Sequence, residues 1–342
     1  MIENADVDTA APIIGKTCLA PEPSRIFYWA LAVPLAALLV WLSLRGTDWR
    51  RVGTVLSGAR LGLIALACAI TSAACFLRAL RWRVLLNARE KLGAVPVFWA
   101  TMAGYLGNNL LPARAGELVR AVLVSRRSAL SKTYVLTTAA TERLTDAIVL
   151  VVASRLLLLG IHQKPAWLEG AATTTSIAAL LGATLVAGLR WRHATIARIL
   201  AVVSAPAHVR SRLVGMLEQA VLGFSALDHP ARLASFCGLT ALIWTADAAR
   251  ATIVARALGL SLPFAVAILL ITGLGLGSAL PATPGYLGIY QFVAINVLVP
   301  FGFTRDEALA YILLAQAGGY AVITLWGVAG LWRMGGTKVA GC

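Results

Sequence analysis

Charged side chains occur inside segments of this sequence that are otherwise apolar. Two such segments, 133–160 and 233–257, together contain Glu142, Arg143, Asp146, Asp247 and Arg250. Glu142 and Asp146 are four residues apart and share a helix face, and Arg143 is spaced to pair with Asp146. Asp247 and Arg250 have the same pairing distance in sequence. Because each charge costs ~2.5–3.5 kcal/mol at the centre of a bilayer, these side chains must face one another or water.

These charges have two interpretations. They are either ion pairs that lock helices together, or the lining of a polar cavity that accepts a charged headgroup. The stretch NNLLPARAGELVRA at 108–121 favours the cavity, because it adds Arg114, Glu117 and Arg120 to the charged set. Arginine binds phosphate through its planar, two-pronged guanidinium group. The carboxylates would then hold the arginines, or they would receive a cationic headgroup or a coupling proton.

Part of that stretch occurs a second time in the chain. The pattern Leu-Pro-Ala-x-x-Gly-x-Leu spans 111–118 and again 280–287, at an offset of 169 residues. Proline donates no backbone hydrogen bond and disfavours helix in the residue before it. A helix is therefore expected to break at Pro112 and again at Pro281. We interpret the two copies of the motif as the tips of two helical hairpins.

The returning half of each tip is predicted to begin a new helix. Gly116 permits unusual dihedral angles and a close backbone approach, and Gly285 is its counterpart in the motif of the second tip. In the second tip Thr283 can act as the N-cap, and Pro284 suits the first helical position. Free N–H groups and the positive ends of the helix dipoles would then favour an anion, for example phosphate. Further candidate cavity residues beside the tips are Asn108, Asn109, Tyr290 and Gln291.

Composition indicates an integral membrane domain. Of the 342 residues, 59% are hydrophobic and 13% charged, and the mean hydropathy is +0.80, whereas soluble domains carry about 25% charged residues. The net charge of +15 comes mostly from Lys and Arg beside apolar segments, which is typical of membrane topology and anionic lipid contact. No basic patch interleaved with aromatic residues indicates nucleic-acid binding. The five cysteines form no CxxC motif and the four histidines are scattered, so neither a metal site nor a cofactor is predicted.

The apolar segments predict about six full spans and two re-entrant helical hairpins. The predicted spans are 26–44, 61–80, 133–160, 171–189, 233–257 and 306–332. Basic residues are dense at 78–91 and at 114–132, on both sides of one apolar stretch, so 94–127 is interpreted as a hairpin that enters and leaves on the cytoplasmic side. The second hairpin, 263–300, would enter from the opposite side. The basic loop at 45–60 is then placed outside, against the positive-inside rule.

This arrangement is an inverted-topology repeat. A polar cytoplasmic tail at 1–25 precedes a first membrane repeat at 26–160, and the second repeat occupies 171–332. The second repeat contains an amphipathic cytoplasmic segment at 195–228. The protein is predicted to lie in the cytoplasmic membrane, with both termini in the cytoplasm. Inverted repeats in transporters place their sites where broken helices meet near the midplane.

Four stretches carry a resemblance to a known family. GNNLLPARAGELVRA, TERLTD, ALPATPGYLGIYQ and PFGFTRDEALAYIL resemble the lysylphosphatidylglycerol synthase transmembrane-region family, also called flippase-like, over roughly 25–335. The resemblance implies a multi-pass protein with paired re-entrant elements. In the best-known members this domain is joined to a soluble domain that transfers lysine from charged tRNA to phosphatidylglycerol, and the membrane part is thought to flip the product. We expect a stand-alone membrane domain here, without synthase activity.

Two positions differ from many relatives of that family. Where many have a glutamate in the second tip, this chain has Gln291, and where many have an arginine in the final span it has Gln316. Both differences remove a charge, which argues against a lysyl-lipid substrate.

The sequence thus predicts a lipid translocase that moves a polar or charged headgroup through an intramembrane cavity. The expected substrate is an anionic phospholipid or a lipid-linked headgroup. One alternative is a membrane-embedded transferase acting on a polyprenyl- or glycolipid, with Glu142 or Asp146 as base, although no Ser-His-Asp or Cys-His set is present. Another is an accessory subunit of a lipid-modifying enzyme. The oligomeric state does not follow from the sequence.

Overall fold

The fold is entirely helical in the part of the chain that the structure describes. The computed structural model describes residues 23–111, 115–159, 166–202, 207–278 and 284–335, and no strand occurs among them. The helices are α1 Pro23–Leu44, α2 Trp49–Ser57, α3 Leu61–Leu86, α4 Ala94–Leu110, α5 Gly116–Ser125, α6 Lys132–Leu159, α7 Ala166–Val202, α8 Ala207–Phe224, α9 Pro230–Ala257, α10 Phe264–Gly277, α11 Ile289–Leu298 and α12 Arg305–Gly335. The predicted all-α class is confirmed.

Short polar residues set the starts of two helices. Asp48 caps α2, and its Oδ1 accepts the backbone N–H two residues further on at 2.9 Å. At the start of α12 the carboxylate of Glu307 accepts the N–H of Thr304 at 2.8 Å, and the Thr304 hydroxyl accepts the N–H of Glu307 at 3.3 Å. This reciprocal capping box is the TRDE of the sequence. The cap at Asp48 places a short helix inside 45–60, which the sequence analysis treated as a loop.

Helices α3 and α5 contain basic residues that the sequence analysis had counted as loop charges. Helix α3 runs on to Leu86, beyond the predicted span 61–80, so Arg81, like Arg78 at the end of that span, belongs to the helix rather than to a loop at 78–91. Arg120 likewise lies in α5, where it is buried. The loop charge that supported a cytoplasmic location for these regions is therefore smaller than counted.

Helix α7 absorbs part of the predicted amphipathic segment. It runs for 37 residues, Ala166–Val202, or about 55 Å, which exceeds a hydrocarbon core of about 30 Å. Residues 195–202 therefore continue α7, and only the later part of 195–228 forms a separate helix, α8. The boundary at 195 was wrong because the apolar run of α7 passes into the basic stretch without a proline, and helix α7 continues through Gly188.

The first hairpin consists of α4 and α5, which pack closely against each other. Helix α4 ends at Leu110, and Leu111 has the extended dihedral angles φ −100° and ψ 147° expected before a proline. A Cβ added to Gly116 would lie 1.8 Å from the carbonyl oxygen of Gly104, and one added to Gly107 would lie 2.9 Å from the Cα of Gly116. The close approach predicted at Gly116 is confirmed. Pro112 lies outside the described residues.

The second hairpin consists of α10 and α11, and it returns later than predicted. Pro284 begins a short 3₁₀ turn rather than the returning helix, because Gly285 has φ +75°. Helix α11 begins at Ile289, after Gly288 with φ +85°. A Cβ on Gly288 would also meet the carbonyl oxygen of Ala36 in α1 at 2.7 Å. The prediction that Pro284 starts the helix is therefore wrong, and Pro281 and Thr283 lie outside the described residues.

Two hydrophobic clusters form the interior, and the two central helices, α3 and α9, contribute residues to both. The first is built mainly from α9, α10, α11 and α12, and the second mainly from α3, α4, α5 and α6. Helix α3 packs along α9, α12 along α4, and α6 against α10. These contacts bring the ends of both hairpins to the same region, where α4 also contacts the 284–286 turn.

The outer surface carries large apolar side chains. Leu180, Leu185 and Leu325 are 65%, 74% and 68% exposed. By length and composition, Leu61–Leu86 and Arg305–Met334 are the described helices able to cross a membrane. Such a surface suits contact with lipid. The six spans and the re-entrant nature of the hairpins remain predictions.

Candidate functional site

A chain of ion pairs connects α3, α5 and α6. Arg143 Nη2 lies 2.9 Å from Glu117 Oε1, and the other Glu117 oxygen lies 2.5 Å from Arg120 Nε, in a contact without hydrogen-bond geometry. Arg120 Nη1 in turn lies 3.1 Å from Glu142 Oε2. The predicted Arg143–Asp146 pair is wrong, because Arg143 finds its carboxylate on the neighbouring helix α5 instead of on its own helix.

Arg81 ends this chain and binds two carboxylates at once. Its Nη2 donates to Glu142 Oε1 at 2.9 Å, and its two terminal nitrogens donate to the two oxygens of Asp146 at 2.5 and 2.8 Å. Arg81 and Glu142 are each 1% exposed. Glu142 and Asp146 share one face of α6, as predicted, and both converge on Arg81. Three arginines and three carboxylates therefore compensate one another, which is typical of a structural network.

A separate ion pair joins the two central helices. Arg78 of α3 binds Asp247 of α9, and the two residues are 169 positions apart. This separation equals the offset between the two copies of the tip motif. The predicted Asp247–Arg250 pair is wrong, because Asp247 binds Arg78. Among the described residues, no carboxylate lies within ion-pair distance of Arg250.

A cavity of about 320 Å³ lies between α3, α9, α12 and the two hairpins. Its charged lining residues are Arg78, Arg143, Asp247 and Arg250. The lining therefore has three cations and one anion, and Arg250 is the cation without an ionic partner in the described chain. An anionic ligand would meet an attractive field in this cavity.

Polar and aromatic groups complete the lining. Asn108 and Asn109 at the end of α4 line it, and so does Trp244 of α9. Asn108 Oδ1, Asn109 Nδ2 and Trp244 Nε1 are buried and have no hydrogen-bond partner among the described residues. The rings of Tyr286 and Tyr290 stack with their centroids 5.0 Å apart and their planes 7° apart. Because buried polar atoms are nearly always paired, these groups are suited to a ligand or to water.

A hydrogen-bond network on α12 supports the second tip. The carbonyl oxygen of Gly285 accepts bonds from Gln316 Nε2, at 3.3 Å, and from the Tyr320 hydroxyl. Gln291 Oε1 accepts the N–H of Gly288 at 2.8 Å, and its Nε2 donates to Gln316 Oε1 at 2.6 Å. Gln291 and Gln316, the two positions that the sequence analysis singled out, therefore contact each other. Gln291 does not line the cavity but holds the turn that does.

The structure divides the predicted site residues into three groups. Those that line the cavity are Asn108, Asn109, Arg143, Asp247, Arg250 and Tyr290. Those that lie behind its lining are Glu117, Arg120, Glu142, Asp146 and Gln291. Arg114 and Thr283 lie outside the described residues, as do Pro112 and Pro281. No group of three or more His, Cys, Asp or Glu side chains suited to a metal occurs in the described ranges.

Several lining residues were not predicted from the sequence. They are Arg78, Tyr105, Trp244, Tyr286, Gln316 and Tyr320. One signal for Arg78 was available, because the motif offset that aligns Arg81 with Arg250 also aligns Arg78 with Asp247. The aromatic residues gave no comparable signal, since their types are equally common in lipid-facing positions of an apolar helix.

Comparison with known proteins identifies the family. The family model described as "Lysylphosphatidylglycerol synthase TM region" matches residues 29–327. "Glycosyltransferase AglD" of Haloferax volcanii is 27% identical over 321 residues, which cover 83% of this chain and 51% of that protein, so the chain spans about half the length of this curated relative. No solved structure matches. With most of its length matched by one family model, this chain belongs to the lysylphosphatidylglycerol synthase TM region family of membrane proteins.

Proposed function

We propose that this protein is a lipid translocase of the cell membrane, which moves a lipid headgroup between leaflets through the cavity. The observation that carries the proposal is a cavity lined by an arginine, Arg250, that has no ionic partner among the described residues, enclosed by helices whose outer faces are apolar. A headgroup bound there would be shielded from hydrocarbon while its acyl chains stay in the bilayer. Exposing a charge at the bilayer centre would instead cost ~2.5–3.5 kcal/mol.

The repeat relation between the two halves supports this function. Arg78 and Asp247 occupy equivalent positions of the two copies and bind each other, as residues do beside a two-fold axis. If the hairpins enter from opposite sides, the cavity lies near the midplane, where inverted-repeat transporters bind their substrates. Alternating movements of the two halves would then open the cavity to one side of the membrane at a time.

Leaflet exchange of labelled lipid tests the proposal directly. Purified protein is reconstituted into liposomes with fluorescent phosphatidylglycerol, phosphatidylcholine or a polyprenyl-phosphate sugar, and the inner-leaflet label that becomes accessible to a membrane-impermeant quencher is followed over time. We expect faster exchange of at least one lipid with the wild-type protein than with protein-free liposomes. A folded protein that accelerates exchange of none of the lipids would contradict the proposal.

The proposed topology has its own test. In a chain whose native cysteines are replaced, single cysteines at the exposed positions Lys91, Arg126 and Ser261 are labelled with an impermeant maleimide in intact cells and in inverted vesicles. We expect Lys91 and Arg126 to react from the cytoplasmic side and Ser261 from the outside. Labelling of Lys91 and Arg126 from opposite sides would mean that 94–127 crosses the membrane, and the inverted repeat would be wrong.

A second candidate function is a membrane-embedded transferase. It is favoured by the name of the Haloferax volcanii relative, a glycosyltransferase. The geometry gives Glu142 and Asp146 little freedom to act as base, because both are bound to Arg81 away from the cavity. Asp247 is the carboxylate that the described cavity lining offers, and it is bound to Arg78. Product formation from a lipid-linked sugar, lost in Asp247→Asn, would favour this function.

The third interpretation of the sequence is an accessory role beside a lipid-modifying enzyme. Replacement of the charged cavity lining would then leave the cellular phenotype unchanged as long as the protein is expressed. Purification of the protein with such an enzyme would identify the partner.

A further inference from the structure

The two copies of the repeat place an arginine at the same position of each central helix. Arg81 lies in α3 and Arg250 in α9, at the 169-residue offset of the Arg78–Asp247 pair. Contact between equivalent positions sets α3 and α9 around a local two-fold axis. The groups that bind the Arg81 guanidinium can therefore be compared, one by one, with the groups around the Arg250 guanidinium.

The surroundings of Arg81 are complete. Glu142 and Asp146, one helical turn apart on α6, bind its guanidinium group. The hydroxyl of Thr240 on α9 accepts a further bond from Arg81 Nη1 at 3.3 Å. No solvent or ligand is needed at this position, because the charge and the N–H groups have partners inside the protein.

The surroundings of Arg250 have the same arrangement, but no carboxylate from the described residues binds its guanidinium group. Thr71 of α3, which is equivalent to Thr240, shares a pocket wall with Arg250, and so do Ala315 and Gly319 of α12. Ala315 and Gly319 are one helical turn apart, as the two carboxylates of α6 are. A Cβ added to Gly319 would meet no atom within 4 Å, so this place is open space.

Beyond the tips the equivalent positions are offset by 173 residues rather than 169, because α5 begins at Gly116 whereas α11 begins only at Ile289. Neighbouring contacts support this register between α6 and α12. Arg143 follows the first carboxylate of α6 and binds Glu117 on the adjoining helix α5. Gln316 follows Ala315 and binds Gln291 on the adjoining helix α11. Helix α6 thus contacts α5 through the residue after Glu142, and α12 contacts α11 through the residue after Ala315. Two small residues of α12 therefore stand where α6 has two carboxylates.

We propose that Arg250 binds an oxyanion of the substrate headgroup in the space that carboxylates fill beside Arg81. The inference rests on the proposed function and names its substrate class, a lipid with a phosphodiester or phosphomonoester group. Two oxygens of a phosphate match the guanidinium fork as the oxygens of Asp146 match Arg81. Trp244 Nε1 and Asn109 Nδ2 are further donors in the same cavity. A cationic group elsewhere on the headgroup would be repelled by the three arginines of the lining, so the cavity favours a phosphate-bearing headgroup of net negative charge over one that also carries a cation.

Lipid binding in nanodiscs tests the site separately from transport. The full chain in phosphatidylcholine nanodiscs is titrated with phosphatidylglycerol or with cationic lysyl-phosphatidylglycerol, and bound lipid is counted by native mass spectrometry. We expect preferential binding of phosphatidylglycerol, and a roughly 10–100-fold loss of that preference in Arg250→Gln. Arg256→Gln, on an exposed position of the same helix, is the matched control and should bind as the wild type does. Inorganic phosphate added at millimolar concentration should compete if the site accepts a free anion, and should not if it needs the lipid.

A second variant keeps Arg250 and adds a carboxylate beside it. Ala315→Glu should supply the partner that α6 supplies to Arg81, and so lower phosphatidylglycerol binding about as much as Arg250→Gln does. Ala315→Gln has the same size without the charge and should lower binding less. Equal binding by wild type, Arg250→Gln and Ala315→Glu would overturn the anion site.

The two proposals fail in different ways. Lipid exchange without any Arg250-dependent preference would overturn the anion site and leave the translocase function standing. Arg250-dependent binding without exchange of any lipid would keep the site and remove the translocase function.

Discussion

Glu142→Gln is expected to destabilise the folded protein by about 3–5 kcal/mol, because it breaks a buried ion-pair network by removing one partner. Glu142 is 1% exposed, and its two oxygens are bound to Arg81 and Arg120. With the charge removed, three arginines would share two carboxylates in a dry interior. At about 2–4 °C per kcal/mol, the melting temperature should fall by at least about 6 °C.

The assay is thermal unfolding of purified protein in one detergent, followed by tryptophan fluorescence and by loss of monodisperse protein. Glu218→Gln, on an exposed position of α8, is the matched control and should change stability by less than about 0.5 kcal/mol. Adding Arg120→Gln to Glu142→Gln should recover part of the loss, since removing both partners costs less than removing one. If Glu142→Gln has the same melting temperature as the wild type, the ion-pair network does not hold these helices together. The charges around Arg81 would then not have the structural role assigned to them.

Further predictions concern the two tips and use the same thermal assay. Gly116→Ala should be strongly destabilising, by about 1–3 kcal/mol or more, because its Cβ would lie 1.8 Å from the Gly104 carbonyl oxygen, whereas Gly215→Ala, with open space around it, should not be. Tyr320→Phe removes one donor to the Gly285 carbonyl oxygen and should cost about 1 kcal/mol. It should also slow lipid exchange, because the turn it supports lines the cavity, and an unchanged exchange rate would mean that the turn is held without it.

The two interpretations of the charged residues apply to different copies of the repeat. Around Arg81 the charges compensate one another and are buried, which is typical of ion pairs that lock helices together. Around Arg250 a cavity is present, and no carboxylate of the described chain lies within ion-pair distance of it. In this arrangement the first copy binds its arginine with carboxylates of the protein, and the second copy leaves space beside its arginine for an anionic ligand. The first half of the protein would then be rigid, and the second half would bind the ligand.

The resemblance to the family was sufficient to assign the chain, and the structure adds a contact to it. Gln291 and Gln316 were separate departures from the family pattern in the sequence. In the fold they are hydrogen-bonded at 2.6 Å, and both support the turn around Gly285. With the later return of the second tip the offset becomes 173–174 residues, and a neutral amide pair then stands in one copy where Glu117 and Arg143 form an ion pair in the other.

The sequence by itself determined the features that depend on local chemistry. A helix ends before Pro112, α4 and α5 approach closely at Gly116, and the charges of TERLTD lie inside a helix, because dihedral restriction, side-chain size and hydropathy act within a few residues. The delayed start of α11 was missed even so, since the positive φ of Gly285 is a choice that glycine permits without requiring it.

Only the tertiary structure decided which charges pair. The spacing of Arg143 and Asp146 allowed a pair within one helix, yet each binds a residue on another helix. An interhelical pair depends on how far each helix is rotated and how closely it packs, and the sequence of one helix does not contain that information. For the same reason the free position at Arg250 became visible only when α12 was seen to offer it two small residues in place of two carboxylates.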